Sequence, residues 1–294
     1  MVAAAFINDR LKSAKQRQKQ STESAGTNEI ELLSPRSVRH MHRTLQTALE
    51  SALQYGIVQR NVAAIVPAPR VPKAQIRFLT VEEARAVLAA ATDEPLYALY
   101  ATVLSLGLRL GEALALSWRD IDFVNGRLNV EHTIQRVKGV MIRLDTKTEN
   151  SRRILSLPGV AIAALRQHQD RQKHQKEWAG SGWKGSAWNL VFTSSAGTPL
   201  DERNVLRIFQ DRILKRAGLP KMRLHDLRHS AVAILIAQGV NPRAISELLG
   251  HSSVAFTLQV YGHLFEDVKR ETANRMDAAL GPSVGPSAHI NNVV

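Results

Sequence analysis

Apolar residues recur at helical spacing along most of the chain, a pattern that predicts a mainly α-helical protein. The first well-marked helix begins at Ser34 and Pro35, a capping serine followed by a proline suited to the first turn, and ends near Gly56. We expect its apolar positions to face a core: Val38, Met41, Leu45, Ala48 and Ala52. Further helices are expected through about residue 118 and over about 160–178, 201–216, 225–238, 242–249 and 264–280.

The pattern changes to strand-like alternation over residues 127–157. The alternating pieces are RLNVEHTIQRV, VMIRLDTK and RRILSLP. They predict a hairpin or a three-stranded sheet. The expected fold class is therefore mainly α with a small antiparallel β-sheet (α+β).

A proline-rich stretch divides this pattern into two domains. Residues 66–75, VPAPRVPKAQ, contain three prolines and resemble an extended linker. Thr80 and Glu83 follow with the spacing of a capping box, which marks the start of the next helix. We therefore expect a helical N-terminal domain with its linker over 1–75, a second domain over 76–280 and a disordered tail over 281–294.

The charge of the chain favours a polyanionic partner. Its 294 residues hold 39 Lys and Arg against 26 Asp and Glu, a formal charge of 39 − 26 = +13, and nucleic acid is the first candidate for such a balance. The absence of cysteine excludes disulfides, thiolate zinc sites and cysteine nucleophiles. Neither a signal peptide nor a membrane span is predicted, so we expect a cytoplasmic location without a membrane partner.

Tyr261 is the candidate nucleophile. A free phenol has a pKa near 10, so forming phenolate at pH 7 costs about 4 kcal/mol and needs a base or a nearby positive charge. Taken alone, a half-buried structural tyrosine is the more common role. His225 and Arg228, three residues apart at the start of a predicted helix, share one face and could line an active site.

Arg109 and Glu112 are also three residues apart, so the carboxylate can orient the guanidinium. A buried structural ion pair is the alternative for them. His251 follows Gly250 at a predicted helix end, and Lys147 lies in a basic turn. A solvated turn residue is the alternative for each.

Two other chemistries are disfavoured. His225 and His229 have the spacing of two zinc ligands, but the metalloprotease pattern requires Glu where Asp226 stands, and no third ligand is evident. The chain also lacks the phosphate-binding motif of nucleotide-hydrolysing enzymes. Neither a metal nor another cofactor is expected.

Exposed basic residues could contact a DNA backbone. Arg36, Arg39 and Arg43 share a second face of the first helix, for which a solvated surface and a DNA contact remain open. Arg152 and Arg153 follow Lys147 closely in the same basic turn, and we include them as candidate DNA contacts.

Taken together and in this order, these segments resemble the tyrosine recombinase (phage integrase) family. The matching segments are TVLSLGLRLGEALALSWRDID, DTKTENSRRILSLP, LHDLRHSAVAILIAQGV, ISELLGHSSV and TLQVYGH, within about residues 76–280. The stretch LSPRSVRHMHRTLQTALESALQYGIVQRNVA is similar to the family's helical core-DNA-binding domain. Compared with the family, we expect this domain to be short at its N-terminus, as in a truncated protein. The arm-site domain of many phage integrases is not recognised in the sequence.

The resemblance implies a role for each catalytic candidate. Tyr261 would attack the scissile phosphorus and form a 3′-phosphotyrosyl link. Arg109 and Arg228 would hold the non-bridging oxygens, and His251 would add a hydrogen bond to the phosphate. His225 would take part in proton transfer with the tyrosine. Lys147 would protonate the leaving 5′-oxygen.

The resemblance further implies a DNA recombinase and integrase of a mobile element, associated with the nucleoid when bound to DNA. Its partners would be double-stranded DNA, three further copies of the chain in a homotetramer on paired sites, and accessory DNA-bending proteins. Two alternatives stay open: an inactive remnant or DNA-binding regulator with the same fold, and a type IB topoisomerase-like enzyme. The helix expected over 264–280 could dock on a neighbouring protomer.

Overall fold

The computed structural model describes residues 33–71, 77–146, 152–185, 188–250 and 253–265, together with Met276 and Leu280. The chain divides into two compact units, Met1–Gln75 and Ile76–Val294. The described residues form helices and two small antiparallel sheets, which confirms the expected fold class. No helix in these ranges combines the length and the apolar character that crossing a bilayer requires. The expected tail over 281–294 lies outside the described residues.

The first unit contains helix α1, Pro35–Gln54, and the short helix α2, Val62–Ile65. Ser34 caps α1 as predicted, accepting a hydrogen bond from the Ser37 amide. The predicted core face is wrong at Met41, Leu45 and Ala48, all of which are exposed; Met41 and Leu45 are 48% and 36% exposed. The buried residues of α1 are instead Val38 and His42. A polar side chain is accommodated there because His42 Nε2 lies 2.9 Å from the Val66 carbonyl, so the ring is hydrogen-bonded.

The second unit supplies eight of the described helices. They are α3 Val81–Ala91, α4 Tyr97–Leu106, α5 Leu110–Ala115, α6 Gly159–Ala179, α7 Glu202–Ile208, α8 His225–Ala237, α9 Pro242–Leu249 and α10 Val254–Tyr261. The predicted capping box of Thr80 and Glu83 opens α3, and a π-helical turn, Phe209–Leu214, continues α7. Short 3-10 turns cover Trp118–Asp120, Gly180–Gly182 and Gly262–Leu264. Most of the helix expected over 264–280 lies outside the described residues.

Helix α4 forms the centre of the core. Eight of its ten residues are buried, as expected for a helix that is apolar on all sides. It packs against α3, α5, α6 and α8. Gly107 then ends α4 in the left-handed conformation, at φ 61°. The packing of α4 thereby fixes the segment that leads into α5.

The strands form two separate sheets. Strands β1 Ile121–Asp122, β2 Arg127–Val130 and β5 Arg153–Ser156 pair antiparallel in the order β1-β2-β5. Strands β3 His132–Val137 and β4 Val140–Asp145 form a hairpin, so the sequence yields both the hairpin and the three-stranded sheet. The hairpin turns through Lys138 and Gly139, both at positive φ. Strand β3 packs against α5, and α9 packs beside β5.

Candidate active site

Tyr261, the candidate nucleophile, is the last residue of α10 and is only 2% exposed. Its ring lies 6.3 Å from that of Phe78. The other buried members of its apolar cluster are Val232, Ile236, Ile245 and Leu249. Burial raises the pKa of the Tyr261 hydroxyl to about 12, although the charge of Arg228 acts in the opposite direction. The phenol is therefore held neutral at physiological pH.

His229 is the histidine that contacts this hydroxyl. Its Nδ1 lies 2.6 Å from the Tyr261 oxygen. Burial, and then the proximity of His225, lower the pKa of His229 to about 4. The neutral ring can therefore accept the hydrogen bond that the phenol donates. The sequence pattern indicated His229 only as a zinc ligand, although its place one helical turn after His225 puts it on the same face.

His225 lies at the start of α8, with its ring 4.9 Å from that of His229 in an edge-on arrangement. It is exposed, whereas His229 is half-buried. The surrounding protein still removes water from the ring, and this desolvation, followed by the charge of Arg228, lowers its pKa. The neutral imidazole is therefore favoured at His225. The described residues contain no group of three His, Asp or Glu that could hold a metal.

Arg228 is buried in the first turn of α8, 3% exposed. Its two terminal nitrogens donate to the carbonyls of Gly107, at 2.6 Å, and Leu249, at 2.8 Å. Burial, and then the charge of Arg109, lower the pKa of its guanidinium. This one side chain joins the segment two residues before Arg109 to the segment two residues before His251.

Arg109 precedes α5 and forms the expected ion pair with Glu112, its NH1 lying 2.6 Å from Oε1. The Glu112 carboxylate also accepts from the Arg109 backbone amide at 3.0 Å. The Arg109 side chain is 41% exposed, whereas that of Glu112 is 3% exposed. The buried carboxylate thus holds the guanidinium of Arg109, and part of that guanidinium remains open to solvent.

Arg153 is the second arginine on the same carboxylate. Its NH2 lies 2.9 Å from Glu112 Oε2, and its Nε donates to the Leu248 carbonyl at 2.8 Å. Its side chain is 7% exposed. Burial by itself would raise the pKa of Glu112, but the hydrogen bonds and charges of Arg153 and Arg109 outweigh it and lower the pKa. Glu112 is therefore an ionised carboxylate between two guanidinium groups.

The remaining candidates are described only in part. Arg152 is 57% exposed and pairs with Asp145 at 3.0 Å. Lys147 and His251 lie outside the described residues. The nearest described residues are Thr146 and Arg152 around Lys147, and Gly250 and Ser253 around His251. In the first unit, the exposed basic residues of α1 are Arg36, Arg39 and Arg43.

Sequence comparison relates the chain to known proteins. The model of the phage integrase family matches residues 77–267. A XerC-like tyrosine recombinase of Caldanaerobacter subterraneus subsp. tengcongensis is 30% identical, over 83% of this chain and 66% of its own length. The ICEBs1 integrase of Bacillus subtilis strain 168 is 31% identical, over 84% of this chain and 67% of its own length. The chain therefore spans about two thirds of the length of these relatives.

Comparison with solved structures shows the same fold. The Tn1549 transposon integrase in complex with a circular intermediate DNA superposes with a TM-score of 0.71 at 22% identity, covering 92% of this chain and 85% of that one. A lambda integrase tetramer bound to a Holliday junction superposes with a TM-score of 0.53 at 22% identity, covering 87% of this chain and 62% of that one. At these identities the likeness establishes the fold alone.

Proposed function

Because the chain belongs to the phage integrase family, we propose that it is a site-specific DNA recombinase that cuts and rejoins DNA through a 3′-phosphotyrosyl intermediate. The observation that carries this proposal is the position of Arg228. It binds the carbonyls of Gly107 and Leu249, which lie just before Arg109 and His251, and its charge acts on Tyr261. The fold thus gathers the segments of four candidate catalytic residues around one guanidinium.

Each residue has a defined part in the proposed cleavage. The Tyr261 oxygen forms a bond to the scissile phosphorus as the bond to the 5′-oxygen breaks. Arg109 and Arg228 hold the non-bridging oxygens, a geometry suited to the guanidinium fork, and His251 adds a hydrogen bond. His225 takes part in transfer of the phenol proton, and Lys147 gives a proton to the 5′-oxygen.

This scheme requires neither a metal nor a nucleotide cofactor. The phosphotyrosyl link keeps the energy of the phosphodiester, so a 5′-hydroxyl can reverse the step without ATP. Strand exchange follows when the attacking 5′-hydroxyl belongs to the other DNA site. By analogy with other oxyanion sites, each phosphate-holding donor would contribute about 10² to 10³ to the rate.

We further propose that the partner is double-stranded DNA of a mobile element, bound by four copies of the chain at paired sites. The assembly and DNA named for the lambda structure, and the transposon named for the Tn1549 protein, support this assignment. The first unit would bind the core DNA site, with Arg36, Arg39 and Arg43 on phosphates. Accessory DNA-bending proteins and a nucleoid-associated, cytoplasmic location belong to the same proposal.

Covalent trapping tests the chemistry. The protein would be mixed with nicked suicide duplexes that carry candidate attachment sites and run on a denaturing gel. We expect a protein–DNA adduct that is lost in Tyr261→Phe and kept in Tyr55→Phe, a matched control at a tyrosine that is 81% exposed in the first unit. An adduct that persists in Tyr261→Phe would contradict the assignment of the nucleophile.

The same experiment separates the alternative functions. Binding of a cognate duplex without an adduct would favour a remnant or DNA-binding regulator. An adduct accompanied by relaxation of supercoiled DNA, without exchange between two sites, would favour a topoisomerase-like enzyme. The relatives named above as an integrase and a tyrosine recombinase favour neither alternative.

A further inference from the structure

Arg153 connects three segments that carry candidate catalytic residues. Its guanidinium binds Glu112, which in turn holds Arg109. Its Nε binds the Leu248 carbonyl, three residues before His251. Arg153 itself begins β5, six residues after Lys147 in the chain. Like Arg228, Arg153 therefore contacts the first two segments through its side chain, and it also lies close to the third in sequence.

The charges explain why an arginine suits this place. The carboxylate of Glu112 is 3% exposed and is shared between the guanidinium groups of Arg109 and Arg153. The Leu248 carbonyl lies at the C-terminal end of α9, where the helix dipole favours a cation. A planar guanidinium with several donors can bind the Glu112 carboxylate and the Leu248 carbonyl at once.

We propose that Arg153 is a positioning residue for DNA cleavage, which sets Arg109 through Glu112 and fixes the end of α9 before His251, and that it does not contact DNA. This proposal rests on the recombinase function proposed above. The neighbouring Arg152, which directly precedes β5, shows the contrast. Its side chain is 57% exposed and pairs with Asp145, which is itself 66% exposed, so Arg152 remains the residue of this pair that can reach a phosphate.

Arg153→Lys is the decisive variant. Arg216→Lys is its matched control, since Arg216 also pairs with a buried carboxylate, that of Glu94, at 2.9 Å. Lysine keeps the charge and the stem but lacks the planar fork that bridges Glu112 and Leu248. On a suicide duplex, we expect the single-turnover rate of adduct formation in Arg153→Lys to fall about 10- to 100-fold, a loss typical of residues that orient catalytic groups. The dissociation constant for DNA and its salt dependence should stay near those of the unaltered protein. Arg216→Lys should cleave at nearly the unaltered rate, because Arg216 has no assigned part in the site or in DNA binding.

A second measurement tests the same contacts without catalysis. Hydrogen exchange of the backbone amides in residues 107–112 and 246–250 would be followed in the free protein. We expect exchange at least about fivefold faster there in Arg153→Lys, because these segments lose the guanidinium that binds both of them. Arg216→Lys should leave exchange there unchanged. Absence of any adduct with the unaltered protein would count against the recombinase function, while the exchange result would still test the positioning contacts.

Three results would overturn the proposal. The first is unchanged cleavage and exchange in Arg153→Lys. The second is a drop of about one in the slope of log affinity against log salt, which would mark a lost phosphate contact. The third is loss of folding in both Arg153→Lys and Arg153→Gln, which would assign Arg153 a structural role only.

Discussion

His229 Nδ1 lies 2.6 Å from the hydroxyl oxygen of Tyr261, so the proposed nucleophile is hydrogen-bonded before any DNA is present. The pKa of the ring, about 4, leaves the imidazole neutral, so that one of its two nitrogens can accept. The pKa of about 12 at Tyr261 keeps the proton on the phenol, which can therefore donate to Nδ1 when the ring proton is on Nε2. Both partners are neutral, so the contact contributes as a buried neutral hydrogen bond. Cleavage would require the Tyr261 hydroxyl to give up its hydrogen bond to His229 as its oxygen bonds to the phosphorus.

Removal of His229 should therefore destabilise the protein through the hydroxyl of Tyr261. We expect His229→Ala to lower the free energy of unfolding by about 1–3 kcal/mol, because the hydroxyl is left without an acceptor. His229→Asn should lower it less, since its amide oxygen can occupy the place of Nδ1. Urea denaturation measures both changes.

A double-mutant cycle provides the control. Combined with Tyr261→Phe, His229→Ala should cost less than it does alone, with a coupling energy of about 1 kcal/mol. Strictly additive losses would show that the two side chains do not interact in solution.

Loss of the shared carboxylate should be costly. Glu112→Gln leaves Arg109 and Arg153 facing each other without their buried counter-charge. We expect about 3 kcal/mol of destabilisation in urea denaturation, the usual size for breaking a buried ion pair on one side. Glu247→Gln is the matched control, because its pair with Arg243 is exposed at both ends, and it should cost under about 1 kcal/mol. Equal effects would contradict the assigned role of Glu112.

Local signals made much of the fold predictable. The caps of α3 and α9 rest on side chains adjacent to the helix, Thr80 and Asn241, and both helices begin where these residues predict. The stretch 127–137 shows what such signals omit. It divides at Glu131 into β2 and β3, which belong to different sheets. Alternation is the same in both strands, and only the pairing with distant residues separates them.

The site was predictable in part, for the same physical reason. The ion pair of Arg109 and Glu112 spans one helical turn, so spacing alone indicated it. The contact of Arg153 with Glu112 spans 41 positions, and no local pattern distinguishes this buried arginine from the exposed Arg152 beside it. His229 was missed for another reason. Its contact with Tyr261 depends on where α10 packs, which sequence spacing does not reveal.

His168 should make stability depend on pH. Its Nε2 lies 2.8 Å from the Val191 carbonyl and its Nδ1 lies 2.8 Å from Arg171 NH2. A second proton would thus face a guanidinium. Burial first, and then Arg171, lower the pKa of His168 from 6.5 to about 4, against the effect of the Val191 carbonyl. Between about pH 6.5 and pH 4, His168 therefore binds a proton in the unfolded chain but not in the folded chain. The free energy of unfolding consequently decreases as the pH falls from about 6.5 towards 4.

The loss assigned to His168 is about 2 kcal/mol between pH 7 and pH 5. Calorimetric melting at the two pH values should show a smaller difference for His168→Gln than for the unaltered protein. Part of the dependence should remain, because the pKa of His229 is also about 4. His174→Gln, at a histidine whose side chain is 79% exposed, should leave the difference unchanged. If His168→Gln showed the same difference in melting between the two pH values as the unaltered protein, His168 could not be the origin of the pH dependence.

Gly107 combines a strained backbone with a close approach at the centre of the site. Its φ of 61° disfavours a side chain, and an added Cβ would lie 2.9 Å from Leu249 Cδ2. Gly218 has a similar φ of 68° with no atom within 4 Å of such a Cβ. Gly218→Ala therefore measures the backbone strain alone, about 1 kcal/mol. Gly107→Ala should cost about 2–3 kcal/mol, since Leu249 must also move.

Gly107→Ala should slow cleavage as well. Leu249 and Gly107 supply the two carbonyls that hold Arg228, so a displacement between them would move the guanidinium from the phosphate. The urea and adduct assays on Gly107→Ala and Gly218→Ala, done in parallel, would separate the two effects. A similar loss of stability in both variants would mean that the Leu249 side chain moves away from the added Cβ without a measurable loss of stability. A full cleavage rate in Gly107→Ala would then mean that the hold on Arg228 does not depend on this close packing.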